Sequence, residues 1–346
     1  MTTSTPVTLS HARLPQWAPA LVGVMALAAA GLPAMLLGWG IFRWLVVAVV
    51  LFLVGLPAWS AVVENRRAAT DRLMTGLIWT AFGVAVLPLL WLVYVVISEG
   101  AQAINGDFLS YSMRGVTGDE QGGIYHALIG TVLITLAATV ISVPIGVLAA
   151  IYLVEYGGKS RLARWITFLV DVMTGIPSIV AGLFALALVV LIFGPAYRMG
   201  LGGSIALSLL MIPTVVRSSE EMFRLVPMDL REAAYALGVP KWRTILKVVL
   251  PTSIGGVITG VVLAISRVIG ETAPLLVVAG ATDGVNLNLF DGRMTTLPVF
   301  IYSQYAQSTP AGYERAWGGA LVLIVIVMVL NLIARALGKL LAPKKA

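Results

Sequence analysis

The stretch from 253 to 281 reads SIGGVITGVVLAISRVIGETAPLLVVAGA, and Arg267 and Glu271 are its only charged residues. A transmembrane helix needs about 20 mainly apolar residues, so this stretch is long enough to span a bilayer. Runs of similar length recur throughout the 346-residue chain, which is 59% hydrophobic and only 11% charged. Soluble domains carry roughly 25% charged residues. The sequence therefore predicts an all-α, polytopic membrane protein and excludes the soluble fold classes.

Apolar runs separated by charged breaks predict eight membrane spans, at about 17–38, 41–63, 73–98, 124–153, 165–193, 203–223, 253–281 and 317–337. An even number of spans places both termini on one side of the membrane. That side receives 17 of the 23 basic residues and the opposite side 5, while Arg267 lies inside a span. Because cytoplasmic loops carry the excess of Lys and Arg, we expect both termini and the loop near 224–252 in the cytoplasm. The net charge of +7 then reflects topology, not a nucleic-acid-binding patch.

This orientation makes a definite assignment of individual residues. We expect Lys159, Arg231 and Lys345 on the cytoplasmic side, and Asp119 and Asp291 on the opposite side. The first apolar run leaves an alternative open, because Arg13 followed by an Ala-rich run also resembles a signal peptide. A second apolar run follows after barely a turn, which favours a transmembrane hairpin.

Catalytic and metal chemistry have few candidate residues. The chain has no cysteine, and His11 and His126 are its only histidines, which excludes disulfides, Cys-ligated metals and a histidine cluster. Gly158-Lys159-Ser160 imitates the end of a nucleotide-binding P-loop, but Leu153 stands where that motif needs Gly. We therefore expect no nucleotide-hydrolysis site, metal or cofactor in this chain, and no enzyme activity of its own.

The loop from 230 to 251 reads LREAAYALGVPKWRTILKVVLP and has strong local signals. The segment from Glu232 to Leu237 favours a helix, Gly238 suits a left-handed cap, and Pro240 suits the start of another helix. We expect a rigid pair of short helices here. Their mixed apolar and charged surface would face a cytoplasmic partner.

The spacing in this loop resembles the coupling loop of permease subunits of ABC importers. The pattern is Glu-Ala-Ala, three residues, Gly, nine residues, then apolar-x-Leu-Pro, and it falls on Glu232, Ala233, Ala234, Gly238, Val248, Leu250 and Pro251. The one departure is Val248, where the pattern usually has Ile. The resemblance implies that the loop docks on a separate ATPase subunit, which binds ATP and Mg²⁺ and transmits its motion to the membrane spans.

Arg267 and Glu271 are unusual because the bilayer should exclude them. An arginine near the midplane costs about 2.5 to 3.5 kcal/mol on insertion scales, so its presence suggests a function. On a continuous helix, residues four apart share one face. Pro274 cannot donate a hydrogen bond to the carbonyl of Gly270, which predicts a hinge at Gly270 and Pro274. We expect Arg267 and Glu271 to line a substrate pathway; the alternative is that they only neutralise each other.

The same pair favours phosphate over sulfate as a substrate. Phosphate at neutral pH keeps an O–H that Glu271 can accept, whereas sulfate would meet Glu271 as a like charge. The stretch also resembles the matching helix of PstA-type permeases of phosphate importers, whose Arg-x-x-Gly-Glu-Thr-Ala-Pro falls on Arg267, Gly270, Glu271, Thr272, Ala273 and Pro274. Permeases for molybdate or sulfate, and an ion-coupled secondary transporter, remain as alternatives.

The resemblance covers about residues 73–337 and implies a domain organisation. Residues 1–72 would form a cytoplasmic tail and an extra hairpin, 73–337 the six-helix permease core of a type I ABC importer, and 338–346 a basic cytoplasmic tail. The implied location is the bacterial cytoplasmic (inner) membrane. The implied partners are the ATPase subunits, a second, related but different permease, and an extracytoplasmic phosphate-binding protein.

Arg217, at the end of the sixth predicted span, is a further candidate for the substrate pathway. Glu220 and Glu221 follow it at three and four residues, so a surface ion pair is an equally good interpretation. Asp171, inside the fifth predicted span, is ambiguous for the same reason, and we do not predict it to be a ligand.

Overall fold

A computed structural model describes residues 13–118, 120–158, 160–195 and 197–341. His11, Asp119, Lys159 and Lys345 fall outside these ranges, as do residues 342–346 of the predicted basic tail. The described residues form helices and connecting loops, with no β-strand among them.

The helices are numbered here in chain order. They are α1 Ala18–Leu36, α2 Ile41–Val63, α3 Arg66–Ala103, α4 Gly106–Ser110, α5 Tyr125–Ile151, α6 Arg161–Thr174, α7 Ser178–Phe193, α8 Gly200–Arg224, α9 Met228–Ala236, α10 Lys241–Thr244, α11 Leu250–Val268, α12 Ala273–Val278, α13 Leu297–Ala306 and α14 Pro310–Leu341. Two π-helical segments, Tyr152–Tyr156 and Ile245–Val249, follow α5 and α10 directly.

Within the described residues, seven helices are long and apolar enough to cross a membrane. The bent pair α6 and α7 passes the same test when taken as one span. The predicted all-α architecture with about eight spans is therefore confirmed.

The fifth span is not the continuous helix predicted for 165–193. It consists of α6 and α7, whose axes differ by 110°. The chain turns at Gly175-Ile176-Pro177, and proline disfavours helical backbone at the residue before it. Leu162, Trp165 and Phe168 of α6 are exposed, while Ala163 and Val170 are buried.

The chain divides into two compact units, one ending at Tyr94 and the other beginning at Val95, so the boundary lies inside α3. In the first unit, Glu64 follows α2 and accepts hydrogen bonds from Arg72 (2.9 Å), Ser60 (2.6 Å) and the backbone N–H of Leu14 (2.7 Å). Arg72 first, then Ser60 and Leu14, lower the pKa of the Glu64 carboxyl to about 2.

The second unit has its main hydrophobic core around α8. Leu207, Met211 and Val215 of α8 are fully buried and pack with Ile134 of α5 and Ala264 of α11. The helices approach closely, because a β-carbon on Gly146 of α5 would lie 2.7 Å from Val215. This core holds together α5, α8 and α11, and the last two helices carry Arg217 and Arg267 of the predicted pathway.

Candidate functional site

The first half of the predicted coupling loop forms as expected. Helix α9 covers Met228–Ala236, and Gly238 has a φ of +73°, which confirms the predicted left-handed cap. The N–H of Gly238 donates to the carbonyl of Tyr235 over 2.9 Å, and that of Val239 to Ala234 over 3.1 Å. These bonds satisfy carbonyls that the end of a helix leaves free, so the turn has a fixed shape.

The second half differs from the predicted short helix. Pro240 precedes α10, and the helix then continues through a π-helical segment into α11, so one helix runs from Lys241 to Val268. The expected pair of short helices is therefore wrong for its second member. The helix that contains the seventh predicted span therefore begins at the turn after α9.

The predicted coupling residues occupy two environments. Glu232, Ala233 and Gly238 are exposed, and so is Leu237, with 83% of its surface accessible. Ala234 is buried, and Leu250 packs against a hydrophobic cluster that contains Ala150, Phe223, Val226, Val249 and Val257. Pro251 lies exposed at the start of α11. Among the predicted coupling residues, Ala234 and Leu250 are therefore covered by the chain itself, whereas Glu232, Ala233, Gly238 and the neighbouring Leu237 form an exposed tip.

Arg231, which we expect on the cytoplasmic side of the membrane, is buried within the fold. Its guanidinium donates to Oε1 of Glu155 from Nε (3.1 Å) and Nη2 (3.0 Å), and to the carbonyls of Phe223 (2.8 Å) and Val226 (2.5 Å). Sequence reasoning missed Glu155. The available signal was an acidic residue directly after the apolar run of the fourth predicted span.

The seventh predicted span is interrupted. Helix α11 ends at Val268, and α12 begins at Ala273 with Pro274 as its second residue. Of the four residues between them, 269 and 270 form a turn, and 271 and 272 have no regular secondary structure. A continuous helix over 253–281 is therefore wrong, and so is the helical i,i+4 geometry expected for Arg267 and Glu271. The predicted weak point at Gly270 and Pro274 is a complete break; its action as a hinge stays a prediction.

Arg267 lies one residue before the end of α11 and is exposed, while Glu271 is half-buried in the break. Nη1 of Arg267 donates to Oγ1 of Thr214 on α8 over 3.5 Å. Among the described residues, no ion pair joins Arg267 to Glu271. The guanidinium thus keeps most of its donors available for a ligand.

Arg217 lies on α8 one turn after Thr214, and its guanidinium is paired. It contacts Asp171 of α6 and Glu220 (2.9 Å), and Glu220 also accepts from Arg224. Glu220 is buried, so this network ties α6 to α8. The predicted partner at three residues is confirmed, and the substrate role of Arg217 stays a prediction.

Comparisons with known proteins identify a family and relatives for this chain. The family model described as binding-protein-dependent transport system inner membrane component matches residues 142–346, which include α9, Arg267 and Glu271. The phosphate transport system permease protein PstA 1 of Mycobacterium tuberculosis is 46% identical over 271 residues, 78% of this chain and 87% of that protein. PstA of Mycobacterium leprae is 45% identical over 79% of this chain and 90% of its own. PstA of Haemophilus influenzae is 39% identical over 78% and 94%.

Two solved structures have the same fold at low sequence identity. A chain of the MetNI methionine ABC transporter in inward-facing conformations gives a TM-score of 0.53 at 18% identity, covering 69% of this chain and all of that chain. A chain of a bacterial alginate ABC transporter gives 0.55 at 13% identity, covering 81% and 99%. The chain therefore shares its fold with chains of these two ABC transporters.

Proposed function

Because the chain belongs to the PstA family of phosphate transport system permeases, we propose that it forms one half of the membrane pathway of an ATP-driven importer of inorganic phosphate. The observation that carries this proposal is Arg267. A permanent charge with free donors lies at the broken end of a membrane-spanning helix, where a desolvated anion most needs it.

The chemistry of the break favours phosphate over other oxyanions. Arg267 supplies positive charge and several N–H donors, which suit a tetrahedral anion. Glu271, three residues beyond the end of α11, can accept the O–H of hydrogen phosphate but repels fully deprotonated sulfate. Thr214, whose Oγ1 accepts a hydrogen bond from Arg267, adds a hydroxyl that can donate to an anion bound by Arg267.

Energy comes from outside the chain in this proposal. The exposed tip of the coupling loop, with Glu232, Ala233, Leu237 and Gly238, contacts an ATPase subunit that binds ATP and Mg²⁺. A related second permease completes the pathway, and an extracytoplasmic binding protein delivers phosphate. Both termini lie in the cytoplasm, and the membrane is the bacterial cytoplasmic membrane, consistent with the excess of basic residues on one side.

Reconstitution tests the proposal. Proteoliposomes with both permeases, the ATPase subunits and the binding protein should accumulate labelled phosphate only when ATP is supplied on the ATPase side. Excess unlabelled phosphate should abolish the signal, and excess sulfate or molybdate should not. Uptake by this chain alone under an ion gradient would contradict the proposal, and so would displacement of the label by sulfate.

A further inference from the structure

Glu155 and Arg231 form a buried charge pair at the base of the coupling loop. They belong to different parts of the chain, since Glu155 lies in the π-helical segment after α5 and Arg231 lies in the middle of α9. Both residues are more than nine-tenths buried. Removing an ion pair from water costs free energy, which further hydrogen bonds to its charged groups help to offset. The other hydrogen bonds of Arg231 and Glu155 therefore identify the segments that the pair holds in place.

The remaining donors of Arg231 reach the end of α8. Arg231 donates to the carbonyl of Phe223, in the last turn of α8, and to that of Val226, two residues after the helix ends. Carbonyls at a helix end lack the N–H groups of a following helical turn as partners. A cation at the C-terminus of a helix is also favourable for the helix dipole. One planar guanidinium therefore fixes α9 against both α8 and the end of α5.

Glu155 also accepts a hydrogen bond from the chain that follows the turn at Gly238. Lys241, the first residue of α10, donates its Nζ to the backbone carbonyl of Glu155 and lies 5.0 Å from the ring centre of Tyr156. The chain before the turn thus bonds the side chain of Glu155, and the chain after the turn bonds its backbone. We name Glu155, Arg231 and Lys241 together the Glu155 clamp.

The clamp lies between the exposed tip of the loop and the candidate pathway. Helix α8 continues from the clamp through Arg217 to Thr214, which contacts Arg267. Helix α5 runs beside it, with Gly146 against Val215. A force on α9 would therefore reach the pathway through α5 and α8 as one body, provided that the clamp is intact.

We propose that the Glu155 clamp is the positioning element that transmits the movement of the coupling loop to α5 and α8. Glu155 and Arg231 touch neither substrate nor ATPase in this proposal. Without the clamp, α9 can still dock on a partner, because its docking face is the exposed one. ATP hydrolysis would then continue while transport is lost. The inference rests on the proposed function, since it needs an ATPase on this loop.

The test compares two variants in the complete transporter. Glu155→Gln keeps the size and one acceptor oxygen but removes the charge, and the carbonyls of Phe223 and Val226 still serve Arg231, so the protein should fold. Arg231→Lys keeps the buried charge but loses the planar fork. Glu64→Gln in the first unit is the matched control, because it breaks a glutamate–arginine pair far from the loop in sequence.

We expect both clamp variants to assemble with the ATPase and to hydrolyse ATP. Phosphate moved per ATP hydrolysed should fall about tenfold, as for loss of one hydrogen-bonded charge, and should not change in the control. A purely structural pair would lower the amount of assembled complex and leave this ratio unchanged. That result would overturn the proposal.

A second measurement separates this inference from the proposed substrate. The chain has no cysteine, and Leu263 is exposed one turn before Arg267, so Leu263→Cys can report movement of α11 by its rate of thiol labelling. ATP should change this rate in the otherwise unaltered transporter and not in Glu155→Gln. If the unaltered transporter moves no phosphate, the proposed substrate is wrong, and the labelling rates alone then test the role of the clamp. An ATP response retained in Glu155→Gln would refute the clamp.

Discussion

Gly182 of α7 and Pro274 of α12 are in backbone contact: a β-carbon on Gly182 would lie 2.6 Å from the α-carbon of Pro274. Only glycine permits this approach, and the contact holds the segment after the break against α7. The position of Glu271 thus depends on a residue some ninety positions earlier in the chain.

Gly182→Ala should lower the thermal unfolding temperature of the purified protein by several degrees. Forcing a methyl group into such a contact costs about 1 to 3 kcal/mol. Gly83→Ala in α3 is the control, because a β-carbon there meets nothing within 4 Å. Replacing a helical glycine by alanine where the methyl group meets no neighbour stabilises by up to about 1 kcal/mol. Equal unfolding temperatures for the two variants would show that the close contact at Gly182 does not contribute to stability.

Arg267→Gln should assemble normally and lose phosphate uptake about tenfold or more, since a hydrogen bond from a charged group contributes roughly 1.5 to 3 kcal/mol. Because no ion pair joins Arg267 to Glu271, the double variant with Glu271→Gln should stay inactive. Arg335→Gln, an exposed change on α14, should leave uptake unaltered. Recovery of uptake in the double variant would support mutual neutralisation and contradict a substrate role.

Gly238→Val should separate the chain from its ATPase or uncouple the two. The φ of +73° is the reason, because a β-branched residue resists positive φ, while the surrounding space is empty. Gly238→Asn should retain transport, since Asn tolerates this conformation. Copurification of the ATPase and uptake per complex provide the measurements. Normal coupling in the Val variant would mean that coupling to the ATPase does not require the left-handed conformation at residue 238.

The stability of the first unit should depend on acid pH through Glu64. Its pKa is about 2 in the fold against an ordinary value of 4.5, because Arg72, Ser60 and Leu14 favour the ionised form. A lowered pKa contributes stability that is fully present above about pH 4.5 and is lost as the pH falls through about 2. The unfolding temperature of Glu64→Gln should therefore lie below that of the unaltered protein at pH 6 and approach it towards pH 2. A gap that stays constant over this range would contradict the assignment.

Orientation can be tested at two exposed positions. Leu237→Cys should react with an impermeant thiol reagent from the cytoplasmic side, and Asp291→Cys from the opposite side. Leu237 is a better reporter than Arg231, which is buried. The reverse pattern would invert the topology.

The sequence predicted features that local chemistry determines. Helix α9 and the cap at Gly238 follow from helix propensity and from the one residue type that accepts positive φ at no cost. Pro274 predicted a weak point in the seventh span. Its conversion into a complete break could not be predicted, because the contact with Gly182 belongs to the tertiary fold.

The pair of Glu155 and Arg231 escaped prediction for a related reason. The two residues are 76 positions apart, and no local period connects them. Counting the basic residues in loops assigns Arg231 to a side of the membrane and gives no information about its burial against the carbonyls at the end of α8. The bend between α6 and α7 coincides with Gly175 and Pro177, which the sequence offers either as bending positions or as close-packing positions. Hydropathy alone does not give the angle between the two helices.

Helix α9 places adjacent residues under different constraints. Arg231 and Ala234 are buried, and Arg231 is bonded to Glu155, Phe223 and Val226, whereas Glu232, Ala233 and Leu237 are exposed. The outward positions can therefore change in evolution to suit another cytoplasmic surface while the inward positions are kept. The surface that selects a partner can thus change without altering the residues that bind α9 to the rest of the chain, although both lie on one helix of nine residues.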